Sequence, residues 1–591
     1  MKKNACWTCL VCAILALVGC SGPDDSPPGM NPSSDMSSVA DMTSTPPPGD
    51  MGRDPEADMA NPADMQDLAD GISDMGSPEV PLTWPAGEGV WGSPTVTFTL
   101  PKPEDGKGIY LPDVQETHPD VDWQALERLY IPAGHYPFIR LGNLPDRSAE
   151  NPLVITNKGG QVRIGGLDHH YLFVISGGSH WVLTGRYDPV SQTGDEGFPG
   201  HRGGAFAHSQ GTYGIVVDDA FVRESVSGIG IGGRATDFEI EYVEIARVGF
   251  AGMLIKTDDQ GDAHMENVRL HDLYIHDVVS EGVYIGSTQS QPQHQIRSIQ
   301  IFNNRILRTG TEAIQLGQLA GDSHVHHNVF GPAAIDWRDA FQNYQDGNLQ
   351  IALRAGHLTI EDNIFMGAAG SMVGLFGLPV QGDDSSANVG VQIRRNHFIG
   401  TRNLGMYINN ESLPGMRYTI EDNTWSGWRF ERDEVYADAT PYNHLLRVFN
   451  SGTPIAFDGN TWEGPELMVN ALPDVGNGEK DNISGMNNRK GAADPLLFVG
   501  WGLADDFDIL NLEQWAASAT RGDGSPVVYQ IGEVVMYGGD AWRCRLDPCP
   551  GGRIPPEHAD TWESLGPLPD DVRVEPGTAW EGRGLNPMFA R

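Results

Sequence analysis

Cysteine is scarce in this 591-residue sequence: there are six, and four of them fall within the first 20 residues. Only Cys544 and Cys549 remain beyond that point. No further metal-type ligands cluster around them, so a structural zinc site is not expected there. Long apolar runs are missing after Cys20, which excludes a later membrane-spanning helix. Basic residues are few, with 39 Lys and Arg against 79 Asp and Glu and a formal charge of −40. Such a chain does not bind nucleic acid or dock a polyanion by bulk electrostatics. An acidic polymer would need a local basic site or a bridging cation. Finally, no long stretch carries the apolar period of an amphipathic helix.

What is present at the N-terminus is an export signal. Met1-Lys2-Lys3, an apolar run from Ala5 to Val18 and the small Gly19 make a secretory signal peptide over residues 1–19. Leu17-Val18-Gly19-Cys20 resembles the bacterial lipobox. The resemblance implies cleavage before Cys20 and lipidation of that residue; the alternative is an ordinary signal with an incidental cysteine. Ser21 is not the aspartate that favours inner-membrane retention, so the outer membrane or cell surface is the expected address. Residues 20–82 hold Pro, Ser and six Asp-Met dipeptides, from Asp35-Met36 to Asp74-Met75, with almost no branched or aromatic apolar residues. Such a segment cannot offset its ordering entropy and reads as an acidic, extended tether. In an exported chain the remaining pair, Cys544 and Cys549, is most simply a disulfide.

The body, residues 83–500, repeats. Thr359-Ile360-Glu361-Asp362-Asn363-Ile364-Phe365 aligns with the segments that carry Asn396 and Asn423, with earlier copies at Asn304 and Asn328 and a weaker one at Asn460. Each has an apolar residue, two mostly polar positions, an Asn, one residue and another apolar one; Phe302 departs from this at a polar position. An Asn at the same corner of every coil can stack its amide on the next, while the flanking apolar residues stack inward. Repeat lengths from the twenties to the thirties suit one coil per repeat with loops inserted at a corner. This pattern resembles the right-handed parallel β-helix proteins of the pectate-lyase-like type. The expected class is all-β, a parallel solenoid; a propeller or sandwich lacks support in the spacing. Asn143 to Gly160 reads as the entry to the coil, and Asp122 to Tyr130 as a cap.

A second strand in each coil aligns Ile229, Met253, Val283 and Ile314 as one inward column and Ile231, Ile255, Ile285 and Leu316 as another. Gly230, Leu254, Tyr284 and Gln315 form an outward row, and Ser227, Ala251, Glu281 and Glu312 stand at the turn before it. Glu281 and Glu312 are therefore expected one coil apart, near Lys256. Two carboxylates at that spacing can act as acid and nucleophile in glycoside hydrolysis. Alternatively Lys256 can be the base of a polysaccharide lyase, with Ca²⁺ or an arginine neutralising a uronate. Tyr284 and Gln315 are candidates for touching the sugar. On the first strand, Arg269 and His271 are further catalytic candidates, and Glu239, Glu241, Glu244 and Asp272 are candidate Ca²⁺ ligands. Glu239 over Arg269 can equally be a plain salt bridge, and the solvated glutamates of a solenoid face need no role at all. His324, His326 and His327 read as corner decoration. The Gly-rich loop 194–204 lacks the features of a phosphate loop.

After a linker, residues 501–524, the segment 525–566 holds Tyr529, Gly532-Glu533, Tyr537, Trp542 and a closing Trp562 in an order similar to small chitin-binding modules. The usual Asp is replaced by Glu533. The resemblance implies sugar stacking on Tyr529, Tyr537, Trp542 and Trp562, with Trp542 and Trp562 partly structural and a Cys544–Cys549 staple. Residues 567–591 read as a tail. Together these features point to a monomeric surface lipoprotein whose partner is a chitin-like or uronic-acid polysaccharide, either degraded or simply held. A purely structural surface component is a third reading.

Overall fold

The structure is a computed structural model. It describes residues 94–104, 106–166, 170–185, 213–219, 226–256, 264–286, 296–336, 346–353, 356–377, 390–402, 404–410, 416–427, 445–449, 453–463, 482–494, 496, 498, 512–515, 526–568, 572–574 and 577–585. The signal peptide, Cys20, the tether and the loop 194–204 lie outside the described residues.

Each coil carries three short strands. Thr236–Glu241, Val243–Ala246 and Met253–Ile255 make one coil. Met265–His271, Tyr274–Val278 and Val283–Ile285 make the next. Stacked coils build three sheets, called here first, second and third in that order. Pairing between coils is parallel and in register: Ile240 with Leu270 and Ile301, Ile245 with Ile275 and Ile306, Met253 with Val283 and Ile314. The chain is therefore an all-β parallel β-helix. The inward columns and the outward row Gly230/Leu254/Tyr284/Gln315 stand as the sequence placed them. Pairing begins earlier than the expected entry, at Thr97–Thr99 on Arg128–Tyr130, and runs to Arg489–Lys490. The one described α-helix is Leu111–Thr117, with Leu111 and Val114 buried. The segment Asp122 to Tyr130, expected to supply a short helix or turn as the cap, holds turns that lead into the strand Arg128–Tyr136.

The corner between the first and second sheets explains the repeat. Tyr242, Asp272, Asn303, His327, Asp362, Arg395 and Asp422 all take φ between 51° and 56°. This left-handed bend is unfavourable for most L-residues. From Asn304, the neighbour of the third of these residues, onward the bend is held by amides. Each Asn side chain donates to the amide oxygen of the next: Asn304 to Asn328, Asn363, Asn396, Asn423, Asn460 and Asn488 in turn, at 2.9–3.4 Å. The same oxygens accept backbone N–H groups: Asn363 N–H donates to Asn396 Oδ1 at 3.0 Å. In the two preceding coils Leu273 and Val243 occupy the ladder position. Inside, Phe330, Phe365, Phe398 and Trp425 stack with ring centroids 4.9–5.0 Å apart.

The C-terminal part is bound to the coil. Glu513–Gln514 pair with Val535–Met536, so the small module draws a strand from the segment read as linker, and Trp515 joins its core. The Cys544–Cys549 disulfide is present. Val534, Met536 and Ala541 pack with Leu512 on Ile335 of the solenoid. Phe498, Val572 and Leu585 cover Tyr213, Tyr242 and Tyr274 on the outer face of the second sheet. Trp580 stacks on His397 at 3.9 Å, and Gly584 N–H donates to Asp362 O. Residues 572–574 and 577–585 thus lie over the second sheet as a strap, which leaves the first and third sheets as the faces on which a ligand site can be sought.

Asn396→Ala removes the partner of two Asn363 donors inside the ladder, with a cost of about 3 kcal/mol expected from the groups left unpaired. Asn488→Ala, at the half-buried end, is expected to cost under about 1 kcal/mol. Urea unfolding of both variants checks the difference; equal losses would remove the ladder as the support of the bend.

Candidate functional site

On the third sheet the turn glycines Gly228, Gly252 and Gly282 face the core, where a Cβ on Gly282 would strike Ile306. That inward turn throws the preceding residue outward. Ala251 accordingly joins Leu254 and Tyr284 in an outer cluster with Tyr171 and Phe250. Glu281 and Glu312 occupy the same row as Ala251, one coil apart, as Gly282 N–H donates to Glu312 O. The Gln315 column continues into Gln350, whose amide donates to Glu312 Oε1. Lys256 lies half-exposed with its Nζ 4.6 Å from the Tyr284 ring centroid.

Both glutamates are out of solvent, at 1% and 0% exposure. Burial raises the Glu312 carboxyl well above its usual value, and the neighbouring Glu281 and Asp346 raise it further. Its Oε2 is buried without a hydrogen-bond partner. Burial also raises Glu281, but the Ser280 hydroxyl, donating at 2.6 Å, and the charge of Lys256 pull it back. Two like carboxyls with unequal surroundings separate into an acid that keeps its proton and a carboxylate that has lost it. The same site holds an aromatic face, two amides and one cation. Asp346 and Gln350 were not found from sequence, because the irregular length between Gly317 and Leu349 hides the next coil; extending the Gln315 column would have reached Gln350.

Elsewhere in the stack, buried acids meet cations. Arg269 pairs with Glu239 at 3.1 Å, Arg308 with Asp277 at 2.7 Å and Arg394 with Glu361 at 2.5 Å. Glu421 over Asp458 is an acid-on-acid step, but both are partly exposed. Glu281 over Glu312 is the fully buried step of this kind among the described residues.

The first-sheet cluster differs from expectation. His271 Nε2 lies 2.9 Å from Glu239 and 3.9 Å from Glu241, while its Nδ1 lies 2.7 Å from Asp272. Asp272 is thus on the far side of the ring from the two glutamates, and Glu244 faces His276 on the second sheet. The four acids predicted to hold Ca²⁺ do not converge. The group that does converge among the described residues is Glu239, Glu241 and His271. Burial alone would lower the His271 pKa, but the Glu239 charge and the bonds to Asp272 and Glu239 raise it to about 9. His271 and Arg269 serve as the cations of a buried ion network, and the His271, Phe302 and His326 rings stack above one another. His324 bonds Glu361 at 2.8 Å and His326 meets His327 at 3.0 Å. The three histidines do not form a convergent set.

In the module, Tyr529 and Trp562 are 0% and 1% exposed. Their rings meet edge-to-face at 5.4 Å, and Trp562 Nε1–H donates to Arg553 O. Neither offers a face to a sugar, which corrects their assignment as binding rings: a module this small uses them as its core. Tyr537 and Trp542 remain partly exposed.

Because the folded pKa of His271 lies above its ordinary value of 6.5, its ion network stabilises the fold fully below pH 6.5. That contribution is lost as pH rises through about 9. Unfolding free energy is expected to fall over this window, and less steeply in His271→Gln. An identical slope in the variant would show that His271 is not held as a cation.

No protein-family model matches the sequence, and no curated protein matches it. Among solved structures the chain is similar to pectate lyase Pel9A, with 13% identity over 68% of this chain and 78% of that one and a TM-score of 0.32. It is similar to the alginate lyase from Paenibacillus sp. str. FPU-7, with 14% identity over 60% and 99% and a TM-score of 0.31. It is also similar to the catalytic domain of a GH87 alpha-1,3-glucanase, with 9% identity over 67% and 68% and a TM-score of 0.32. At these identities the likeness is one of fold.

Proposed function

We propose that this chain is an exported, lipid-anchored enzyme that hydrolyses polysaccharide on the outer face of the third sheet. The observation that carries the reading is the buried carboxyl pair, in which burial and the neighbouring acids push Glu312 well above the usual carboxylate range beside Glu281. Glu312 gives its proton to the glycosidic oxygen as the bond to the anomeric carbon breaks. Glu281, ionised, attacks that carbon or steadies its developing positive charge. Water then completes the cleavage, returning a proton to Glu312. One coil separates the backbones by about 4.8 Å. That is near the roughly 5 Å between carboxyls in retaining enzymes, so retention of anomeric configuration is expected. Lys256 contributes charge toward Glu281. Tyr537 and Trp542 of the module hold the polymer nearby and raise its local concentration. Lipidation at Cys20, with the tether of residues 20–82, places the enzyme at the outer membrane or cell surface, acting as a monomer.

A second reading has Lys256 as the base of a lyase. It rests on Lys256 being partly exposed while the two glutamates are buried. The two readings differ in product, since a lyase leaves an unsaturated sugar that absorbs in the ultraviolet and a hydrolase leaves only a new reducing end.

A panel of neutral, amino-sugar and uronate polymers is to be assayed for both signals with the purified protein. Reducing ends without absorbance are expected, falling at least about 100-fold in Glu312→Gln, a change that keeps the contact with Gln350. Absorbance lost in Lys256→Ala would establish the lyase instead. Binding without products from any polymer would leave a glycan-capture protein.

The pH profile tests the assignment of roles. The high-pH limb, set by loss of the Glu312 proton, is expected above the ordinary carboxylate range. Removing the Lys256 charge raises Glu281 and is expected to move the low-pH limb upward. A Lys256→Ala profile unchanged in position would detach Lys256 from Glu281.

A further inference from the structure

A carboxyl group has two oxygens, and an acid gives its proton from only one of them. At Glu312 the two are not alike. Oε1 accepts a side-chain N–H from Gln350, whereas Oε2 is buried with no hydrogen-bond partner among the described residues. Gln350 reaches Glu312 from the strand Leu349–Leu353, 38 residues along the chain. That strand is held from both sides in parallel register, with Gln350 between Gln315 and Gly374. At its start the Asn348 amide donates to Met366 O at 2.8 Å and to Gly367 O at 3.0 Å. The Asn348 carbonyl accepts Ile314 N–H at 3.2 Å, which ties the strand to the coil of Glu312. Gln350 and Glu312 are both buried, so their contact is made away from water.

We infer that Gln350 is a positioning residue for the acid: its amide N–H marks Oε1 of Glu312 as the carbonyl oxygen and so places the acid's proton on Oε2. This rests on Glu312 being the acid of the proposed hydrolysis. An N–H donates to an oxygen that offers a lone pair, and a proton on the facing side of Oε1 would meet the amide hydrogen head-on. In protonated Glu312, Oε1 is therefore the C=O and Oε2 the O–H. The choice of an amide matters as well. Glu239, Asp277 and Glu361 are met by Arg269, Arg308 and Arg394, and a guanidinium favours the ionised form of its partner. Gln350 carries no charge, so it orients the carboxyl with far less pull toward ionisation. The charges that bear on Glu312 are those of Glu281 and Asp346, which favour its keeping the proton. The consequence is one fixed donor atom. Oε2 is the oxygen from which the proton passes to the glycosidic oxygen, while Oε1 stays bonded to Gln350 before and after the transfer. The carboxyl has no need to turn when water returns the proton.

The test is infrared difference spectroscopy of the full-length protein at neutral pH, reading the C=O stretch of a protonated carboxyl that Glu312→Gln removes. Gln350→Met keeps the length of the side chain and loses the N–H. In that variant the band is expected to move to higher wavenumber, because its C=O no longer accepts a hydrogen bond. In Gln350→Lys the band is expected to vanish, since a cation beside the carboxyl favours its ionised form. On a polymer that is cut, kcat of Gln350→Met is expected to fall roughly tenfold with KM little changed, short of the loss from removing the acid itself. A Glu312 band unmoved by Gln350→Met would overturn the positioning role and leave the acid reading intact. Should the methionine variant fail to fold, a band kept at its wild-type position in Gln350→Lys would do the same. Absence of any band that Glu312→Gln removes would overturn both. A band moved by Gln350→Met, with no products from any polymer, would sustain the placement of the proton and overturn only the hydrolysis.

Discussion

Coils that hydrogen-bond in parallel and in register put each side chain within about 5 Å of its counterpart in the next coil. Every other property of this protein follows from that constraint. Apolar counterparts stack into a continuous core, as Phe330, Phe365, Phe398 and Trp425 do. Amide counterparts form a ladder, because an amide is both donor and acceptor and can satisfy a copy of itself. Charged counterparts cannot do this. A charge stacked on its own kind is repelled at a distance where burial removes the screening of water.

The charge pattern shows how the chain manages that difficulty. Arg269 answers Glu239, Arg308 answers Asp277, and Arg394 and Arg395 answer Glu361 and Asp362. A −40 chain with few cations places several of them at these steps. Against this background Glu281 over Glu312 places one buried acid on another, with the charge of Lys256 toward Glu281. Repulsion and desolvation there are relieved by keeping one proton. A solenoid gains no stability from such a step, and any alternating column would remove it. That is why the pair, rather than the better-compensated His271 cluster, is the better candidate for chemistry.

Much of the fold was legible because a solenoid writes its contacts into sequence as a repeat. The Asn corner and the columns through Ile229 and Gly230 needed only alignment of the chain with itself. What was not legible has a common cause: it depends on contacts between unlike segments. The ring of His271 separates Asp272 from Glu239 and Glu241, which no spacing rule reveals. Asp346 and Gln350 come to Glu312 after an insertion that breaks the period. The strap with Trp580 and the burial of Tyr529 and Trp562 depend on what packs against them. The left-handed φ at Tyr242 and Arg395 is also invisible residue by residue, since neither favours it.

The strap and the site are linked through the same geometry. A three-sided solenoid offers three outer faces, and residues 572–574 and 577–585 with Phe498 lie over the second. The first is filled by compensated ions and stacked rings, which a ligand would have to break. The third carries Tyr284, Gln315 and Gln350 in one unbroken row, and the acid pair beside it. The small module packs on Ile335, at the turn that leads from the second sheet to Thr311 and Glu312. Its backbone neighbours are therefore those of the acid row rather than of the opposite face. An appendage fixed at that edge keeps the rings proposed to hold polymer, Tyr537 and Trp542, attached near the acid row without the entropy cost of ordering a loose linker at each encounter.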